Sequence, residues 1–166
     1  LAADCPTVVA VKESSGNLEQ MSRILQLTKH RLALLSGDDG LTLPVLAIGG
    51  SGVISVVANL VPRDVVSMID AFQRGTLRDA IARHERMLPL VRALFMETNP
   101  IPVKTAMGLL GMIDDPQLRL PLCAMEGTTL DRLKAALDAY SLRKDQFKIR
   151  RGTFEVENKT KKAMPR

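Results

Sequence analysis

Thr7-Val8-Val9-Ala10-Val11-Lys12-Glu13-Ser14-Ser15-Gly16-Asn17 is an apolar, mostly β-branched run that breaks at once into charge, hydroxyls and glycine. A short run bounded by turn residues predicts a buried strand over residues 7–12. Lys12 then stands at the carboxyl end of that strand. A lysine that continues a buried strand is costly, because its ammonium must leave water. A site that carries this cost can use it. Burial lowers a lysine's pKa and leaves a neutral amine free to attack a carbonyl. The plainer alternative is a lysine that snorkels from the strand end and pairs with Glu13.

Two more runs share this character: Leu32-Ala33-Leu34-Leu35-Ser36 and Val53-Ile54-Ser55-Val56-Val57. Helical spacing fills the intervals. Asn17 is a suitable N-cap for a helix over 18–30, with Leu18, Met21, Ile24, Leu25 and Thr28 on one face. Asp38 or Asp39 can cap another over 41–48. Strands alternating with helices in this way imply parallel pairing and right-handed crossovers. After Val57 only helices are read, over 62–74, 77–95, 103–110 and 130–142. Pro62 and Gly75 bound the first of them, Thr128 or Thr129 caps the last, and 112–127 reads as loop.

The composition narrows the function. The 166 residues are 46% hydrophobic but contain no Trp, one Tyr and four Phe. Aliphatic residues must therefore build the interior, which suits a helix-covered parallel sheet. No apolar run approaches the roughly 20 residues needed to span a bilayer. The first six residues show no signal peptide, and Leu1 reads as the continuation of something earlier. Two isolated cysteines, Cys5 and Cys123, suggest no disulfide framework and favour a cytoplasmic location. His30 and His84 lack ligand-spaced partners and are expected on solvated helix faces, so no metal site is read.

The net charge is +5. Its excess lies in the tail over 143–166, which holds nine Lys and Arg against three acidic residues; the rest of the chain carries 14 basic and 15 acidic groups. Disorder is expected there rather than a hairpin around Arg151-Gly152. With no interleaved aromatics and no DNA-reading motif, no nucleic-acid partner is expected.

In a βα architecture, functional groups collect where strands end. Three such places share one rim: Lys12, the Ser36-Gly37-Asp38-Asp39 segment, and residues 55–59. A glycine such as Gly37 lets backbone come close to a ligand. Helix capping accounts for at least one of the two aspartates. Gly49-Gly50-Ser51-Gly52 follows a helix and opens a strand, which is the wrong order for a phosphate loop. Lys104, in a first helical turn after Asn99-Pro100-Ile101-Pro102-Val103, ranks below Lys12 as a nucleophile.

Four segments in register, 9–17, 35–39, 49–56 and 99–104, closely resemble the dihydrodipicolinate synthase (4-hydroxy-tetrahydrodipicolinate synthase) family. That family lies in the pyruvate-dependent class I aldolase superfamily, with N-acetylneuraminate lyase as a cousin. The resemblance runs from about residue 6 to 142. The Ser-Gly-Asp-Asp and Asn-Pro-Ile-Pro-Val-Lys segments favour the synthase over the lyase.

The resemblance implies an α/β fold: the C-terminal portion of a (β/α)8 TIM barrel, strands six to eight, followed by a helical extension. The divisions are then barrel units over 1–75, an extension over 76–142 and the basic tail over 143–166. It implies that Lys12 condenses with the ketone of pyruvate. The enamine so formed attacks aspartate-4-semialdehyde in lysine and diaminopimelate biosynthesis. It also implies that Ile54 lines the pyruvate pocket, and that Gly37 and Asp38 lie near the second substrate. No cofactor is implied, and the family is homo-oligomeric, often tetrameric. Its carboxylate-binding threonines, relay tyrosines and substrate arginine precede the sixth strand and have no counterpart here. The isolated chain is therefore expected to have little or no activity, with Lys12 wetter than in a whole barrel. A piece that serves only in assembly is the non-enzymatic alternative.

Overall fold

A computed structural model describes residues 2–144. The expectations for the tail, disorder or a hairpin around Arg151-Gly152, concern residues outside the described range. Two compact units divide the chain, Leu1–Arg92 and Ala93–Arg166.

The first unit holds three parallel strands in the order β1 (Ala10–Glu13), β2 (Ala33–Ser36) and β3 (Gly52–Val53). Lys12 pairs in register with Leu35, and Leu35 with Gly52; Glu13 pairs with Ser36, and Ser36 with Val53. Between the strands lie α1 (Leu18–Leu27) and α2 (Thr42–Ala47), and after them come α3 (Pro62–Gln73) and α4 (Leu77–Leu94).

The strand alternation of side chains decides what is covered. On one face Leu34 is fully buried against Met21 and Leu25 of α1 and Val45 of α2, with Val11, Leu18 and Ile48 packed around them. Burying one such leucine contributes about 1.5–3 kcal/mol. The other face carries Ala10, Lys12, Ala33, Leu35 and Gly52, and among the described residues no such helical layer covers it.

The expected fold class needs correcting. In place of strands six to eight of a (β/α)8 barrel, the described residues form an open three-stranded parallel sheet with six α-helices. Barrel closure requires tilt and stagger shared by a full ring of strands. Strands of four, four and two residues in one open sheet do not meet that requirement. The numbering six to eight is accordingly dropped.

Local chemistry explains the element ends. Asn17 caps α1, its side chain accepting from the Gln20 amide at 3.0 Å. The helix stops three residues short of its anticipated end, because Lys29 and His30 take left-handed φ values of 51° and 55°. Pro62 opens α3, and Gly75 closes it with a φ of 77°. The Gly75 and Thr76 amides return to the Phe72 and Ala71 carbonyls, each at 2.9 Å, which satisfies the orphan acceptors of the last turn. The third strand is far shorter than residues 53–57 suggested, since the chain bends into a 3-10 turn at Val57–Asn59.

In the second unit, α5 (Ile101–Leu109) packs against α6 (Gly127–Ala139). Leu133 and Leu137 are the buried residues of α6, and Tyr140 follows them inward. The Lys104 ammonium donates to the Gln117 carbonyl and ties the intervening loop to α5. Neither Thr128 nor Thr129 is the N-cap of α6, which is Glu126; Thr129 instead donates its hydroxyl to the Glu97 carboxylate and the Glu126 carbonyl.

Candidate functional site

The carboxyl ends of the three strands meet through short bonds. The Gly37 amide donates to the Glu13 carbonyl at 2.7 Å, and the Ile54 amide to the Ser36 carbonyl at 2.8 Å. Lys12, Gly37 and Ile54 are thus brought to one end of the sheet.

Lys12 is exposed. Its side chain belongs to the face opposite the helical layer; β1 begins only at Ala10 and residues 7–10 are exposed as well, so the buried strand read over 7–12 is not formed. Nor does Lys12 pair with Glu13. Successive strand residues point to opposite faces, and Glu13 turns to the helical side, where it is buried. There its Oε1 accepts from the Ser15 amide and from Gln20 Nε2, both at 3.0 Å. Its Oε2 is buried and has no hydrogen-bond partner among the described residues.

Gly37 allows the closest approach in this region. A Cβ built on it would lie 2.8 Å from Lys12 Cε, 1.7 Å from Ser14 Oγ and 2.9 Å from Ser14 Cβ. Contacts under 3.0 Å force something to move. The missing side chain therefore makes room for the Lys12 stem and for Ser14. A glycine at a strand end suggests a ligand close to the backbone; the group it admits here is the lysine itself.

The two aspartates have separate tasks. Asp38 accepts from the Gly40 amide at 2.8 Å and caps the 3-10 turn Asp39–Leu41. Its backbone is held by the fully buried Ser36, whose hydroxyl donates to the Asp38 carbonyl at 2.8 Å and accepts from the Asp38 amide at 3.1 Å. Asp39 is buried and reaches the segment after β3. It accepts from the Ser55 hydroxyl, from the Val56 amide at 2.9 Å and from the Val57 amide at 3.1 Å. Sequence reasoning missed this link. Its only trace was a second acid where one suffices as a cap.

Ile54 is 48% exposed and follows β3 directly. Lys104 lies in the other unit, engaged with its own loop. His30 is exposed, whereas His84 is half-buried and lines a small pocket with Asp39, Thr42 and Val57, contrary to the solvated face expected for it. Burial lowers the His84 pKa from 6.5, and neighbouring Glu85 opposes the shift. Among the described residues, no three His, Cys, Asp or Glu side chains converge as metal ligands, and no helix is long and apolar enough to cross a membrane.

Comparison with known proteins bears on this rim. Residues 1–140 match the dihydrodipicolinate synthetase family. A 4-hydroxy-tetrahydrodipicolinate synthase of Endomicrobium trichonymphae is 49% identical over 144 residues, covering 87% of this chain and 49% of the relative. The crystal structure of dihydrodipicolinate synthase from Aquifex aeolicus matches with a TM-score of 0.82 at 44% identity, covering 86% of this chain and 48% of that one. A chloride-inhibited dihydrodipicolinate synthase of Acinetobacter baumannii, complexed with pyruvate, matches with a TM-score of 0.78 at 28% identity, covering 84% and 48%. The chain spans about half the length of the relatives it matches. That share, together with the open sheet, stands in place of the anticipated barrel strands. The family match takes in all three strand ends and all six helices, up to residue 140, and on that extent this chain belongs to the dihydrodipicolinate synthetase family.

Proposed function

We propose that this chain carries the amine of a 4-hydroxy-tetrahydrodipicolinate synthase, with Lys12 as the residue that condenses with pyruvate. The Nζ lone pair attacks the ketone carbon, and loss of water leaves an imine. Deprotonation of the pyruvate methyl gives an enamine, which adds to the aldehyde of aspartate-4-semialdehyde. Cyclisation releases the lysine. Gly37 and Asp38 stand on the side of the second substrate, and Ile54 lines the pyruvate side.

One observation carries this reading: Lys12 stands near the carboxyl end of a parallel strand with its stem laid over Gly37, where a Cβ would come within 2.8 Å of Cε. Space has been left for this side chain at the sheet end where βα architectures gather their chemistry. A related structure that holds pyruvate supports the substrate class.

By itself the chain performs the amine step slowly and the full condensation hardly at all. Lys12 is exposed, and groups that would relay protons are worth roughly 10²–10⁴-fold. The test is incubation with pyruvate and cyanoborohydride, followed by peptide mass mapping. Addition at Lys12 ahead of Lys29, Lys104 and Lys134 is expected. Equal addition at all four refutes the assignment.

The uncovered sheet face favours a second reading, an assembly piece. Parallel sheets are ordinarily covered on both faces. Co-expression with the portion of a relative that this chain does not span, followed by size exclusion, decides it. Separate elution rules it out.

A further inference from the structure

We propose that Asp39 is a positioning residue for the Lys12 site: its carboxylate sets where the Ile54 backbone stands at the sheet end that carries the amine. The proposal rests in part on the reading of Lys12 as the pyruvate-binding amine.

The need for such a residue comes from the shortness of β3. Only Gly52 and Val53 are in the ladder, and the last ladder-like bond is the Ile54 amide to the Ser36 carbonyl at 2.8 Å. Beyond it the chain leaves the sheet, and a two-residue strand cannot fix the residues after Ile54. Asp39 takes over at that point. Its carboxylate, in a residue only 6% exposed, collects the Ser55 hydroxyl and the Val56 and Val57 amides. The Ser55 oxygen then accepts from the Ala58 amide at 2.8 Å. The Ile54 peptide is thereby held from both sides, by Ser36 before it and by Asp39 after it.

Asp39 is itself anchored to α2 and, through Asp38, to β2. Its carbonyl accepts from the Thr42 hydroxyl at 2.9 Å, and its neighbour Asp38 is bonded twice to Ser36. Ser36 stands one residue after Leu35, the register partner of Lys12. A continuous set of bonds thus runs from the strand beside Lys12, through Asp39, to the segment that carries Ile54. Hydrogen bonds to a charged acceptor are about twice as strong as neutral ones.

The experiment uses the whole chain with Asp39→Asn and, as a milder change, Ser55→Ala. An asparagine keeps one acceptor and turns an NH2 donor toward the remaining N–H groups. Amide hydrogen exchange at Val56 and Val57 is expected to speed up by about tenfold or more in Asp39→Asn. Exchange at Leu34 and Leu35 should stay as in the unsubstituted chain. The pyruvate concentration that half-saturates addition at Lys12 should rise by about tenfold. Reductive methylation of Lys12 by formaldehyde, which needs no oriented substrate, should keep its rate. Ser55→Ala should move the same quantities in the same directions by less.

Unchanged exchange at Val56 and Val57 overturns the proposal. So does faster exchange spread equally through β2, which would mark general destabilisation. Faster local exchange with unaltered pyruvate saturation also overturns it, since the clamp would then be structural only. Failure of the unsubstituted chain to add pyruvate at Lys12 refutes the proposed function instead, and the exchange measurements then decide alone whether Asp39 sets this segment.

Discussion

Gly37→Ala should separate the stability of the sheet end from the reactivity of Lys12. Gly37 has no left-handed φ, so alanine is permitted by the backbone and the cost is one of space. The new methyl would overlap Ser14 Oγ and Ser14 Cβ, at 1.7 and 2.9 Å, and Lys12 Cε, at 2.8 Å. Both side chains are exposed and can swing away, which places the loss at the lower part of the 1–3 kcal/mol range for overpacking, about 1 kcal/mol. Lys12 cannot move without displacing its amine. A misplacement of an ångström can cost on the order of a hundredfold in a reaction that needs alignment. The assay pairs a urea midpoint with the rate of cyanoborohydride-trapped pyruvate addition at Lys12. Adding Ser14→Gly removes two of the three overlaps and leaves the one with Lys12. The double variant should regain its urea midpoint while addition stays slow. If Gly37→Ala adds pyruvate at the original rate, or if Ser14→Gly restores the rate together with the midpoint, the reasoning about Gly37 and Lys12 fails.

Leu34→Ala empties the centre of the helical face, where Leu34 is fully buried among Met21, Leu25 and Val45, and should cost about 2–5 kcal/mol in urea unfolding. Asn17→Ala removes the cap on the Gln20 amide and should cost about 0.5–2 kcal/mol, with circular dichroism reporting the loss at the start of α1. His84 has its pKa lowered in the folded state, chiefly by burial, so the unfolded chain takes up the proton first. Its contribution is whole above pH 6.5 and falls as the pH drops below that value toward the folded pKa, where the loss levels off. Urea midpoints measured across this window should flatten in His84→Gln; an unaltered slope would show that another group titrates.

Much of the local structure is legible from neighbours in the chain. The Asn17 cap, Pro62 at the start of α3 and Gly75 at its end each act within a few residues, and each has the local role its chemistry predicts; the β-branched run Thr7-Val8-Val9 does not, since it stays exposed and outside β1. The sequence misleads where distant groups decide. Residues 53–57 look like one strand, yet Asp39 draws the amides of Val56 and Val57 out of the ladder from 17 and 18 positions away. His84 resembles a solvated helix residue and instead lines a pocket with Asp39 and Val57. The barrel expectation fails for a related reason. Ring closure is a property of strands taken together, and it cannot be inferred from the identity of three.

The amino-acid order alone specified that there would be parallel βα units, that Lys12 would lie near the carboxyl end of a strand, and that its neighbours would match one enzyme family. Those properties depend on side-chain period, caps and motif spacing, which are local. Only the tertiary structure decided that Lys12 faces outward while Glu13 is buried, that Gly37 lies under the lysine stem, and that Asp39 joins two strand ends. Each of these depends on which face of the sheet the helices cover and on which donors the folded backbone leaves unpaired. Both are set when the elements pack against one another.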